Sequence, residues 1–163
     1  MITLEQLQTC FRNNLVTYYI SHVAHVNIQG RTFASDHKLL KGIYQDRQGE
    51  IDTLAEFIRT LNGFMISQLQ AVLVDATIPD GPTEGTSDEL LAQVRQALVD
   101  LRDDFVDLQE AADEDELDHI ANYADEQVTA LSRHIWFISS TLGEDSPVTD
   151  TTSALITSTL MDS

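Results

Sequence analysis

Residues 24–63 read AHVNIQGRTFASDHKLLKGIYQDRQGEIDTLAEFIRTLNG, two helical patterns that meet at a glycine. The first pattern arrives from upstream. Leu4, Leu7, Phe11, Leu15, Tyr18, His22 and His25 recur at steps of three and four, so helix one runs toward Gly30. Thr3 with Gln6 has the form of a capping box at its start. Beyond Gly30, Ser35 reads as the N-cap of a second helix that carries Leu40, Tyr44, Arg47, Ile51, Leu54, Ile58 and Leu61. Asn62-Gly63 closes that helix.

Working outward, a short helix is expected between Met65 and Val74, followed by the loop IPDGPTEGT. Thr86 and Glu89 form a second capping box. Helix three then carries Leu91, Val94, Leu98, Leu101, Phe105 and Leu108, and helix four carries Leu117, Ala121, Ala124, Val128, Leu131, Ile135, Ile138 and Leu142. Alternating steps of three and four make the seam of an antiparallel bundle, and neither a strand pattern nor an internal repeat interrupts them. The expected fold is an all-α four-helix bundle over residues 1–142, with a short helix in the connection between helices two and three. A Ser/Thr-rich tail, residues 143–163, carries Glu144, Asp145, Asp150 and Asp162 but no Lys or Arg. It is either flexible or docked through Leu155, Ile156, Leu160 and Met161.

Composition agrees with one domain: 163 residues, with only three prolines and seven glycines to punctuate long helices. The single cysteine, Cys10, excludes an intramolecular disulfide and a thiolate zinc site, which fits a reducing compartment. MITLEQLQTC lacks the basic and apolar regions of a secretory leader, and no apolar run is long enough for a membrane span, so a cytoplasmic location is expected. Net charge is −18, from 27 acidic against nine basic residues. Such a chain repels nucleic-acid phosphate and anionic membrane and attracts cations.

Four residues on helices one and two have the chemistry for a cation: His25, His37, Asp52 and Glu56. Imidazole with carboxylate suits iron(II), zinc or manganese, and carboxylates stabilise iron(III) after oxidation. With His37 at zero on a helical wheel, Asp52 falls at about 60° and Glu56 at about 100°, away from the apolar stripe Leu40–Ile51–Ile58 at about 300–320°. Along the axis His37 and Asp52 lie roughly 22 Å apart, too far for one metal to touch both in one chain. An antiparallel two-fold partner would bring its own Asp52 and Glu56 to the histidines, an arrangement the spacing permits without demanding. The plainer readings are histidines that cap or pack, and an Asp/Glu pair on a solvated face.

Other candidates carry less. Glu116-x-x-His119 has the spacing of a bundle di-iron ligand pair, but only one copy is present. His22, one turn before His25, is an outer ligand or a packing histidine. His134 reads as a surface residue and Trp136 as core. No phosphate-binding glycine loop, nucleophile elbow or basic aromatic patch occurs.

The stretch AHVNIQGRTFASDHKLL followed by IDTLAEFIRTLNG resembles the signature of the Dps family of miniferritins. It has a His, an Asn two residues on, a Gly, a Phe, a second His twelve residues after the first, then Asp-x-x-x-Glu and a closing Gly. SRHIWFISSTL is similar to the family's closing helix, and the resemblance spans residues 3–142. It implies a ferritin-like bundle assembled as a hollow dodecamer, with ferroxidase sites at two-fold interfaces. Iron(II) is oxidised there, preferentially by hydrogen peroxide, and stored as ferric mineral, which protects DNA. Carried onto this chain, the resemblance makes His25 and His37 ligands from one subunit and Asp52 and Glu56 ligands from its neighbour. The run Asp113, Glu114, Asp115, Glu116, Asp118 sits where members place pore aspartates, with Asp113, Asp115 and Asp118 the candidates. A helix macrodipole accounts for part of that run without a pore.

Three departures bear on function. Lys41 stands where members carry an acid four residues after the second His; it either occupies the second metal position or pairs with Glu56. Val26 replaces the usual Trp. Neither end has the Lys-rich tail through which some members bind DNA, so direct DNA binding is disfavoured. The competing functions are a shell with a degenerate centre that binds metal weakly, and a helical adaptor that offers its acidic surface to basic partners.

Overall fold

Each long apolar pattern becomes one helix. The computed structural model describes residues 1–148, and among them the elements are α1 (Ile2–Asn27), α2 (Phe33–Thr60), the six-residue α3 (Leu69–Val74), α4 (Ser87–Glu114) and α5 (Asp118–Leu142), with no strand. α1 packs against α2 and α4, and α4 against α5. Leu7, Leu40, Leu54, Leu98, Phe105 and Leu131 are fully buried at the centre. Among the described residues no helix is long and apolar enough to cross a membrane. Leu155, Ile156, Leu160 and Met161, expected as docking residues of the tail, lie outside the described residues.

Local chemistry sets the helix ends. Gly30 takes φ +112° in the α1–α2 turn, and Asn62 (φ 64°) ends α2 in the left-handed region. Gly63 follows because a Cβ there would lie 2.7 Å from Leu4 Cδ1 and 2.8 Å from Ile58 Cγ2. The Thr86–Glu89 capping box forms in both directions. The segment 143–148 is tied to α4: Arg95 pairs with Glu144 at 2.6 Å, and Arg102 donates to the Pro147 carbonyl at 2.8 Å.

Several local expectations are corrected. α2 starts at Phe33 with Thr32 as its N-cap, not at Ser35, because the Thr32 hydroxyl and Ser87 both bond the buried carboxylate of Asp36, each at 2.6 Å. Thr3 does not cap α1. Its N–H and hydroxyl bond Asp115 at 2.9 and 2.6 Å, and Gln6 donates to the Asp104 carbonyl. The short helix begins at Leu69, since residues 64–68 form no regular structure, with Phe64 beneath the Arg59 guanidinium. Trp136 is 55% exposed; it sits one residue past Ile135, turned off the Leu131–Ile135–Ile138 stripe. His134 is half-buried and bonds Asp46 across α2 and α5 at 2.6 Å, so it is not a free surface residue.

Candidate metal centre

The bundle interior is closed to cations by its own guanidinium. Arg47, 1% exposed, donates to Gln127 (3.1 Å) and Asn14 (3.4 Å), while the Asn14 amide bonds back to the Arg47 carbonyl. Glu50, the nearby carboxylate, accepts from the Tyr123 hydroxyl at 2.6 Å. A fixed positive charge there opposes a second one. Glu116 lies in the α4–α5 turn at φ 58°, outside either helix, so Glu116 and His119 do not share a helix face.

The junction of α1 and α2 is different. The turn brings His25, in the last turn of α1, against His37, near the start of α2. Their rings stack at 3.7 Å between centroids, inclined by 25°. His25 Nδ1 bonds the His37 carbonyl and His37 Nδ1 bonds the His25 carbonyl, both at 2.7 Å. A carbonyl only accepts, so both Nδ1 atoms carry the proton and both Nε2 atoms keep a lone pair, the form that ligates metal. Burial lowers the pKa of His25. The bond to the His37 carbonyl works the other way, and the charges of His37, His22 and Lys41 add to the lowering. Neutral imidazole is therefore favoured beside its stacked partner.

Asp52 and Glu56 do not join this pair within the chain. They are exposed on α2, and among the described residues no three His, Cys, Asp or Glu side chains converge on a metal position. Lys41 is exposed, one turn beyond His37, and its charge reaches His25. His22 stacks on Tyr44 (4.4 Å, 14°) with its centroid 6.2 Å from that of His25. Of the pore candidates, Asp115 is engaged by Thr3, whose bonds hold its carboxyl below the usual range, whereas Asp113 and Asp118 are exposed. Tyr44, expected only as a bundle-seam residue, lies 5.0 Å from the His25 ring, and Phe33 lies 4.9 Å from His37. The signal for Tyr44 was present in the spacing: seven residues past His37 is two turns, on nearly the same face.

Alongside the junction, α1 and α3 leave an open groove of about 760 Å³, lined by Leu15, Tyr18, Tyr19, Val23, Leu69 and Leu73 among others. Tyr19 and Leu69 are 65% and 61% exposed there, an apolar face without a covering element in the single chain.

Residues 4–146 match the ferritin-like domain family. The DNA protection during starvation protein of Brevibacillus brevis is 29% identical over 130 residues, covering 80% of this chain and 87% of that one. Its Helicobacter pylori counterpart is 24% identical over 143 residues, covering 87% and 99%. The crystal structure of a Dps protein from Bacillus brevis is 28% identical, with a TM-score of 0.81 over 86% of this chain and 94% of that one. A Listeria innocua Dps structure soaked with zinc is 25% identical, with a TM-score of 0.82 over 87% and 97%. With the family match running over residues 4–146 and the Dps relatives aligning along most of both chains, the chain belongs to the ferritin-like family and is of the Dps type.

Proposed function

We propose that this chain forms a hollow dodecamer that binds, oxidises and stores iron, with each oxidation site shared by two subunits. His25 and His37 supply two Nε2 ligands, and the partner subunit's Asp52 and Glu56 supply the oxygens across a two-fold axis. The observation that carries this reading is the reciprocal Nδ1–carbonyl pairing, which presents two metal-competent nitrogens while the carboxylates lie elsewhere on the same chain. The apolar α1–α3 groove reaches His22 through Tyr18, one turn from His25, and gives the partner a seat. Family membership supports iron storage and protection, and the soaked Listeria innocua relative makes zinc a reasonable competitor at the same ligands, as manganese would be.

Iron(II) is substrate here, with hydrogen peroxide the preferred oxidant. The carboxylates draw the cation and hold it more tightly as iron(III). The fixed imidazole tautomers keep the ligands from turning away. Asp113 and Asp118 are proposed to line the entry pore. Protection of DNA then follows from consuming iron and peroxide together; at a net charge of −18 per chain the shell does not need to touch DNA, and is not expected to. A second reading, a shell with a weakened centre, rests on Lys41, whose charge opposes a second cation beside His25. Light scattering, with aerobic iron(II) titration followed by ultraviolet absorbance with and without peroxide, tests both. A stable monomer refutes the shared site, and a dodecamer that oxidises no iron supports the second reading.

A further inference from the structure

The first turn of α2 must be held in place for the histidine pair to form, and apolar packing does not hold it. From Gln29 to Leu39 every side chain is exposed or half-buried except one, Asp36, which is 2% exposed. Leu40, the first apolar residue of α2 to reach the core, comes a full turn later. Asp36 therefore stands on the core-facing stripe, four residues before Leu40, where the helical period calls for an apolar side chain.

A carboxylate is destabilising there unless its oxygens are bonded. The Thr32 and Ser87 hydroxyls both donate to Asp36 Oδ2 at 2.6 Å, and Ser35 lies 3.3 Å from Oδ1. Its place in the first turn, where the helix dipole favours an anion, adds to this. Among the described residues no Lys or Arg pairs with it. The Ser87 bond spans 51 positions and fastens α2 to the first residue of α4. Ser87 is itself held, because Thr86 and Glu89 close the capping box around it. On the other arm of the turn, Asn27 donates to the Thr83 carbonyl at 2.8 Å. Both arms of the α1–α2 turn are thus tied to one loop, residues 83–87.

An apolar side chain would fix burial and leave rotation about the helix axis loosely set, whereas a hydrogen bond fixes direction. His37 follows Asp36 by about 100° around α2. The rotation fixed by the Asp36–Ser87 bond is therefore the one that lays the His37 ring on His25 and sets its carbonyl against His25 Nδ1. We propose that Asp36 is the positioning residue of the metal centre: its bonds to Thr32 and Ser87 hold the first turn of α2 on the start of α4 and keep His37 in register with His25. The inference rests on the reading of His25 and His37 as ligands. Asp36 does not touch the cation; it acts through the backbone it shares with His37.

The test uses the full-length assembled protein and cobalt(II), whose visible absorption reports ligand geometry and whose ligand preferences are close to those of iron(II). Asp36→Leu restores the apolar period, and Thr32 and Ser87 both reach solvent, so its melting temperature should stay close to that of the wild type. Its cobalt(II) affinity should still fall about tenfold, as for loss of a group that orients a metal ligand, and its visible bands should change shape. Asp36→Asn, which still accepts a hydroxyl, should recover much of that affinity. In a His37→Ala background Asp36→Leu should have no further effect, because the residue it acts through is gone. A folded Asp36→Leu shell with wild-type affinity and spectrum overturns the proposal and leaves the ligand pair standing. So does an equal loss in the His37→Ala background, which marks a general loosening of the fold. If Asp36→Leu does not fold, Ser87→Ala decides by the same measurements: severalfold weaker binding that vanishes without His37 supports the proposal, and unchanged binding overturns it. A wild type that binds no cobalt(II), or a His37→Ala protein that binds it unchanged, overturns the ligand reading and this proposal together.

Discussion

His25 and His37 hold each other's rings through the main chain: each Nδ1–H donates to the other residue's carbonyl at 2.7 Å, although the two residues sit on different helices. The pairing closes the α1–α2 turn and fixes both tautomers with the same two bonds. If the two histidines ligate as proposed, the turn need not be reorganised when a cation arrives, because both rings are already oriented.

Replacing His37 by Ala therefore separates ligation from folding. The carbonyl of residue 37 remains to orient His25, but one Nε2 is gone. Loss of an outer partner of a metal ligand already costs about 10- to 100-fold in affinity, and loss of a ligand costs at least as much. Anaerobic calorimetry should show iron(II) binding weakened by about tenfold or more, while thermal stability falls only by about the worth of the one bond His37 donates, roughly 1 kcal/mol. Unchanged binding would refute the ligand set.

Lys41→Asp acts in the opposite direction. The change alters local charge by two units one helical turn beyond His37 and adds an oxygen ligand. At about 5 Å and an effective dielectric near 20, each unit charge contributes roughly 3 kcal/mol before solvent screening, and Lys41 is exposed, so only a fraction survives. Iron(II) stoichiometry or the peroxide-dependent oxidation rate should rise. A variant with neither increase would show that Lys41 does not limit the site.

The helices and the histidine spacing were legible because both are local. A 3.6-residue period and a twelve-residue interval between histidines need no knowledge of the partner helix. What escaped was set by residues distant in sequence. Thr3 looks like a cap until Asp115, 112 residues away, takes its N–H. Arg47 fits an apolar series, yet its burial depends on Gln127, 80 positions on. Trp136 is apolar and on the right helix, and one residue of phase turns it outward. The histidine pair was recognised as a spacing, while its mutual hydrogen bonds depend on how the Gly30 turn folds back.

Asp104 gives a pH signature. Its carboxyl is pushed up to about 6, first by burial and then by Asp107, Asp100 and Asp103, against the bond from Asn13. A raised folded-state pKa means that the native form binds the extra proton. This group's contribution to stability is therefore greatest below the ordinary carboxylate pKa and declines as pH rises from about 4 to about 6, by about 2 kcal/mol after allowing for solvent screening. Asp104→Asn keeps an acceptor for Asn13 and removes the titration. The difference in melting temperature, variant minus wild type, should grow in the variant's favour across that window and level off above it. A flat difference would show that Asp104 titrates as an ordinary carboxylate.

Sharing of the site between subunits can be counted by mixing two inactive chains. Suppose His37→Ala and Glu56→Gln each abolish oxidation. In a two-fold dimer of one with the other, one site combines the altered histidine pair with the altered carboxylates and is dead. The second combines the intact histidines of the Glu56→Gln chain with the intact carboxylates of the His37→Ala chain and is whole. Random equal co-assembly makes about half of the dimers mixed, each with one good site of two, so about one quarter of wild-type oxidation should return. Chains assembled separately and then combined without exchange should show none, which controls for residual activity of either parent. If all four ligands served one chain, mixing would restore nothing, because every chain carries a defect. The recovered fraction, measured as the peroxide-dependent rise in ultraviolet absorbance per subunit, thus distinguishes a shared site from a self-contained one.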